Sequence, residues 1–303
     1  MEVTGSGVSE LFDFLKASPT LRTVDITTNE SIVLEGIPQQ MAVILPNVEV
    51  FSLASSTDVY GVAAHVSCPR AKNTSLRCEI ADYHMAPGRG VFPTSTTLNT
   101  IVHQYTRSPV EEVALEINPT FDTCSLIFQT SDASTIRLLF HVLDVCDEED
   151  ELEMTLDEIA WEVFSQGLDT IQALPQLSHI KQLRIGYMAN ALDPLQVTNI
   201  TAQLSALFGS MGALDRLTID GGDQSPYFGG FGNFAASSFV FPPIKELTIL
   251  RPSMDERHMG AIVELAKSQH AKGVPFERVT VRARMLPAVM VEELRQWVGA
   301  VDC

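Results

Sequence analysis

Apolar residues recur along the chain on one template, Φ-x-x-Φ-x-Φ with Φ apolar, which occurs seven times. The copies are Leu21/Val24/Ile26, Val48/Phe51/Leu53, Val110/Val113/Leu115, Ile180/Leu183/Ile185, Leu214/Leu217/Ile219, Ile244/Leu247/Ile249 and Phe276/Val279/Val281. The last two apolar residues of each copy stand two apart, so they point to one side of a short strand while the residues between them point to the other. Steps of 34, 30 and 32 residues separate Ile185, Ile219, Ile249 and Val281, and 27 residues separate Ile26 from Leu53. Such steps leave room for a strand plus a return helix in each unit. The expected fold is α/β: a leucine-rich-repeat-like solenoid with a curved, mainly parallel sheet, helices on its outer face and an inserted β-hairpin region. Ile185, Ile219, Ile249 and Val281 are then neighbours in its interior.

Local signals fill in the units. After a strand at Lys245–Leu250 come Pro252 and Ser253-x-x-Glu256, a capping box for a helix start. Met259, Ile262, Val263 and Ala266 form one helical stripe, and Gly273 and Pro275 end it. Ile200–Met211 takes the same place between Ile185 and Ile219, and Met41–Leu45 takes it ahead of Val48. The 70 residues between Leu115 and Ile185 break the period. There Ser125–Thr130 and Thr135–Val142 read as two strands around the turn Ser131-Asp132-Ala133, an inserted hairpin. Ser75–Ile80 reads as a further strand, followed by the loop Ala86–Pro93. The acidic run Asp144–Glu153 reads as a solvated loop before a helix at Leu156–Gly167, with Ile159, Ala160, Val163 and Phe164 on its buried face. A last helix carrying Val289, Leu294 and Trp297 is expected to close the final unit. The 303 residues thus read as a single repeat domain, with regular units at about 11–56 and 174–303 and an irregular, strand-rich insert at about 57–173.

Charge narrows the partners. With 38 acidic against 20 basic residues the net charge is -18, which repels a phosphate backbone and argues against nucleic acid. The opening MEVTGSGVSE has neither a basic nor an apolar region, and no run approaches about 18 apolar residues, so neither secretion nor a membrane is expected. Cys68, Cys78, Cys124, Cys146 and Cys303 are odd in number and widely spaced, which suits free thiols in the cytoplasm or nucleus. The sequons at Asn29, Asn73 and Asn199 then read as chance.

Catalytic signatures are missing: no H-E-x-x-H, G-x-S-x-G, G-x-G-x-x-G or G-K-[ST] occurs. None of the seven histidines pairs with another at i, i+3 or i, i+4. The acidic run lacks the glycine turn and ligand alternation of a calcium loop. Glycines 221, 222, 229, 230 and 232 suggest a phosphate loop, but their segment holds no lysine or arginine. Carboxylates beside Cys146 disfavour its thiolate, Cys124 sits in an apolar strand pattern, and Trp161 and Trp297 sit on helical stripes. No catalytic residue, cofactor or metal is assigned, and the chain reads as a binding protein rather than an enzyme. The residues leave open an enzyme with an unrecognised site, or a truncated gene copy without selected function.

Beyond these patterns, certain stretches resemble the C-terminal repeat region of the expanded F-box proteins of wood-decay and related basidiomycete fungi. They are Leu45-Pro46-Asn47-Val48-Glu49, Tyr105-Thr106-Arg107-Ser108-Pro109-Val110, Phe241 through Ile249, Val263–Val281, and Trp297 through Cys303. The resemblance implies the substrate-recognition part of a ubiquitin ligase receptor. Family members carry an N-terminal F-box that docks on a Skp-type adaptor. Here the first twenty residues are too short for one and lack its Leu-Pro opening, so adaptor binding is not expected without an added F-box. The partner expected is a protein of unspecified identity, held by outward strand residues. The candidate partner-binding face comprises Asp25, Glu112, Glu116, Arg184, Arg216, Asp220, Glu246, Arg278 and Arg282.

Overall fold

The computed structural model describes residues 7–28, 42–55, 59–80, 92–118, 123–142, 156–187, 194–221, 243–250, 256–283 and 286–303. In chain order these form α1 (Gly7–Ala17), β1 (Thr23–Thr28), β2 (Val43–Ile44), β3 (Val50–Ser55), α2 (Val59–Ala63), β4 (Val66–Ser67), β5 (Asn73–Ile80) and α3 (Ser95–Tyr105). There follow β6 (Val110–Asn118), β7 (Thr123–Thr130), β8 (Thr135–Val142), α4 (Leu156–Gln172), β9 (Gln182–Tyr187), α5 (Pro194–Ser210), β10 (Arg216–Gly221) and β11 (Glu246–Leu250). The chain ends with α6 (Glu256–Ala271), β12 (Arg278–Arg282), α7 (Ala288–Arg295) and β13 (Ala300–Asp302). It divides into two compact units. Met1–Val110, Thr120–Thr155 and Ala173–Pro175 make the first; Glu111–Pro119, Leu156–Gln172 and Gln176–Cys303 make the second.

In the second unit β6, β9, β10, β11, β12 and β13 lie side by side in chain order, and every pair is parallel. The template residues meet rung by rung. One rung runs Val113, Leu183, Leu217, Leu247, Val279, Val301, and the next runs Leu115, Ile185, Ile219, Ile249, Val281, as the spacing predicts. From Val113 to Val279 and from Leu115 to Val281 these side chains are at most 1% exposed. Helix α4 leads into β9, α5 connects β9 to β10 and α6 connects β11 to β12, and their apolar stripes are buried too, through Phe164 and Leu168, Leu204 and Leu207, and Ile262 and Ala266. The opposite strand face, with Arg216, Arg278 and Arg282, is exposed. A sheet wound in one direction buries one face only, so its strands alternate instead of reading as continuous apolar runs.

The first unit has the strand order β1-β3-β5-β8-β7. Ile26, Leu53, Leu76 and Leu138 form one parallel rung, and β7 closes it antiparallel with Leu126 opposite Leu138. The expected hairpin is therefore present and belongs to the sheet. Its turn holds Ala133 at φ 64°, while Thr130 and Ser134 bond across it. The place expected for Met41–Leu45 is not helical among its described residues: Val43 and Ile44 form a short strand paired with Val66 and Ser67. Pro46 explains this, because a residue before proline is pushed to extended backbone.

A turn precedes five of the strands, with an N–H bonding the carbonyl three residues back: Leu21 to Ser18, Val48 to Leu45, Ala71 to Cys68, Ile180 to Leu177, Leu214 to Met211. The charged residue after that turn then serves the next strand. The Arg22 carbonyl accepts from Glu49 and Val50, and the Glu49 carbonyl from Lys72 and Asn73. In the second unit the Lys181 carbonyl accepts from Asp215 and Arg216, Asp215 from Lys245 and Glu246, and Lys245 from Glu277 and Arg278. In strand order these residues alternate in sign: Arg22, Glu49, Lys72 in one unit and Glu111, Lys181, Asp215, Lys245, Glu277 in the other. Lys181 and Glu111 close to 2.7 Å.

Helix boundaries follow local chemistry. α4 runs past Gly167 because Leu168 and Ile171 continue its buried stripe. α6 ends where Gly273 takes φ 77°, with Val274 N–H bonded to Gln269 and Gly273 N–H to His270. These two bonds are a Schellman cap, which glycine makes without a Cβ penalty. Ser253 and the acidic run Asp144–Glu153 lie outside the described residues, as do Cys146 and glycines 222, 229, 230 and 232. In α7, Leu294 is fully buried and Val291 nearly so, but Val289 is 82% exposed. Two helical residues apart is about 200°, so Val289 faces away from Val291, and the end of the second unit is formed by α7 together with β13.

Deleting residues 286–303 strips both from the last rung and should lower the melting temperature or cause aggregation; unchanged thermal unfolding would refute the capping role. Gln269 is 1% exposed, and neither its amide nitrogen nor its amide oxygen meets a partner among the described residues. Burying such a group costs about 1–3 kcal/mol. Gln269→Met should therefore raise stability by about 1 kcal/mol in urea unfolding, and a loss would mean that the amide is satisfied.

Candidate partner-binding face

The open face of the second unit is three rows deep, because each strand turns alternate residues outward. The first row reads Glu112, Gln182, Arg216, Glu246, Arg278. The second reads Ala114, Arg184, Thr218, Thr248, Thr280, Asp302 and the third Glu116, Gly186, Asp220, Leu250, Arg282. Three threonines thus form a lateral run at the centre, with charged residues before and after it. A concavity of about 440 Å³ opens here, lined among others by Glu112, Arg184, Thr218, Glu246, Thr248 and Arg282.

Of the nine residues expected on the face, eight belong to this unit. Asp25 belongs to the first, where it is exposed on β1. Arg184 is held from both sides: Nη2 donates to Asp220 Oδ2 at 2.7 Å, and Nε lies 3.2 Å from Glu116 Oε1. In the third row Gly186 stands between Glu116 and Asp220, the two carboxylates that meet Arg184. A Cβ on Gly186 would meet the Asp220 carbonyl at 3.5 Å and Glu116 at 3.6 Å, ordinary contact that a larger, branched side chain would tighten against both neighbours. Asp220 is only 7% exposed, so it shapes the face by fixing Arg184 instead of meeting a partner directly. Arg216 reaches Glu246 at 3.5 Å and Arg278 reaches Asp302 at 3.6 Å, in both cases with open water around them.

The charged column at the strand starts was not among the candidates. Its signal is in the sequence: the residue after the first apolar position is charged in all seven template copies.

The cysteines point away from nucleophilic chemistry. Burial pushes the Cys68 thiol up to about 12 and the Cys124 thiol up as well, opposite to the shift an attacking thiolate needs. Burial also raises Cys303, the exposed cysteine among the described residues. Among those residues no group of three His, Cys, Asp or Glu is placed to hold a metal ion, and no helix is long and apolar enough to cross a membrane.

Arg184→Ala would leave a mostly buried carboxylate without its guanidinium and should cost about 1–3 kcal/mol. Arg216→Ala breaks an exposed pair and should cost under about 1 kcal/mol. Gly186→Ala should be tolerated while Gly186→Val destabilises. Equal losses for the two arginine variants in urea titrations would refute this ranking. No protein-family model matches the chain, and no curated protein matches it in sequence.

Proposed function

We propose that the chain is a non-enzymatic protein-binding scaffold of leucine-rich-repeat-like solenoid type, with its partner held on the outward face of the second unit's sheet. The observation that carries this reading is the outward face itself: six parallel strands whose outward rows are mostly polar, with Arg216, Arg278 and Arg282 exposed among the described residues. Polar and charged groups set by neighbouring strands suit recognition of a protein surface, where arginine supplies much of the binding energy. The fungal F-box resemblance extends the reading to the substrate-recognition part of a ubiquitin ligase receptor working in the cytoplasm or nucleus.

Thr248 is the place to test it, since it sits mid-face and half-buried. Cross-linking followed by mass spectrometry would compare the wild type with Thr248→Lys and with a control, Arg295→Ala, on the exposed side of α7. Proteins held by the wild type and the control but lost by Thr248→Lys are the expected outcome. Identical recovery by all three would overturn the assignment of this face.

The adaptor gives a separate expectation. Of the large apolar residues described in α1, Leu11, Phe12 and Leu15 are buried within the first unit at 3% exposure or less and Phe14 is 44% exposed, so the helix offers a second protein one large apolar side chain in place of a face. A standard interface needs on the order of 800 Å² per partner. The 303-residue chain should show no micromolar binding to a Skp-type adaptor in calorimetry, whereas the same chain fused behind an F-box should bind. Binding by the chain alone would place an adaptor site within the repeats.

A further inference from the structure

A second concavity, of about 310 Å³, lies wholly within the first unit. Its lining includes Arg70, Lys72 and Arg107, together with Glu49, Asp132 and Ser134. Arg70 sits in the turn Cys68-Pro69-Arg70-Ala71 that starts β5, Lys72 is the charged residue that follows, and Arg107 stands between α3 and β6. The parallel register puts Glu49, Lys72 and Ser134 at successive strand starts, so the three cations gather at the amino end of this sheet. All three are exposed, and none forms an ion pair among the described residues. Arg184, Arg216 and Arg278 of the second unit each have a carboxylate within 4 Å, which makes the contrast plain.

The two carboxylates are not equivalent. Asp132 accepts from Thr130 Oγ1 and from the Ser134 N–H, bonds that turn it back on its own hairpin and hold its pKa below the usual value. Glu49 is exposed. The chain's net charge of -18 does not decide the matter, because exposed charges beyond about 8 Å are largely screened at physiological salt. Two guanidiniums and an ammonium around one small concavity match a group with three acceptor oxygens and nearly two negative charges, which is a phosphoryl group. A single carboxylate would satisfy only part of the set.

We infer that this concavity binds a phosphate oxyanion, free or carried on a phosphorylated side chain, through Arg70, Lys72 and Arg107. The inference is independent of the open face of the second unit.

Amide shifts in NMR, followed while inorganic phosphate or a short phosphoserine peptide is added at constant ionic strength, test it. Saturable shifts at Ala71, Lys72 and Arg107 are expected with a millimolar midpoint. They should weaken at least tenfold in Arg70→Ala/Lys72→Ala/Arg107→Ala and strengthen in Glu49→Gln, a pair of opposite changes that a purely structural role would not produce. Binding should also grow as pH rises through about 6, where phosphate takes its second charge. Shifts with the peptide and not with inorganic phosphate would assign a phosphorylated partner; shifts with both would assign the anion itself. The same response to chloride, to the unphosphorylated peptide or in the triple variant would overturn the site, as would no saturable shift at all.

Discussion

In both units of this protein, parallel strands are placed by a backbone carbonyl just ahead of a neighbouring strand. A charged residue just past a tight turn offers its C=O to two consecutive N–H groups of the next strand, as Lys181 does to Asp215 and Arg216 and Asp215 does to Lys245 and Glu246. That fork fixes register at the first residue. The period of a strand is two, so a slip of one residue would turn every inward leucine, isoleucine and valine outward. The apolar rungs, the single buried face and the outward rows all depend on this one linkage being repeated. The alternating signs of the linking residues favour neighbours of opposite charge, a small contribution per pair of about 0.2–1 kcal/mol that always points the same way.

What the sequence made legible was whatever repeats within one element. The inward pairs Leu217/Ile219, Leu247/Ile249 and Val279/Val281 show directly as spacing, and so does the helical stripe from Met259 to Ala266. β5 escaped the template because Ala71 and Thr74 stand where other copies carry larger apolar residues, although Leu76 takes the same rung as Leu53 and Leu138. β2 escaped because five aliphatic residues ahead of Pro46 fit a helix segment as well as a strand until the partner Val66–Ser67 is known. β13 was hidden for a related reason: three residues carry no period, and only Arg278 to Thr280 beside them make Ala300–Asp302 a strand.

The candidate face was half legible for the same physical reason. Which residues point outward follows from alternation along a strand, and eight of the nine expected residues lie in the second unit. How they pair does not follow, because Arg184 and Asp220 are 36 residues apart and meet only through strand order. The sequence therefore treats Arg184, Asp220 and Arg282 alike. The structure separates them into a fixed guanidinium, a buried carboxylate that fixes it, and an exposed cation on the third row. Gly186 shows the cost of reading single positions: its partners across the strands, Glu116 and Asp220, are the two carboxylates that meet Arg184.

A solvent-open sheet face with a defined lateral register is the claim from which the binding proposal follows, and oxidative cross-linking of engineered cysteines tests it most directly. Neighbouring parallel strands lie about 4.8 Å apart, within the Cα separation a disulfide spans, whereas the second neighbour at about 9.6 Å does not. In a background with Cys146 and Cys303 replaced by serine, Thr218→Cys with Thr248→Cys should cross-link readily under mild oxidant, and Thr218→Cys with Thr280→Cys should not. Cross-linking of the 218/280 pair, or failure of the 218/248 pair in a folded protein, would contradict the register and the open face together.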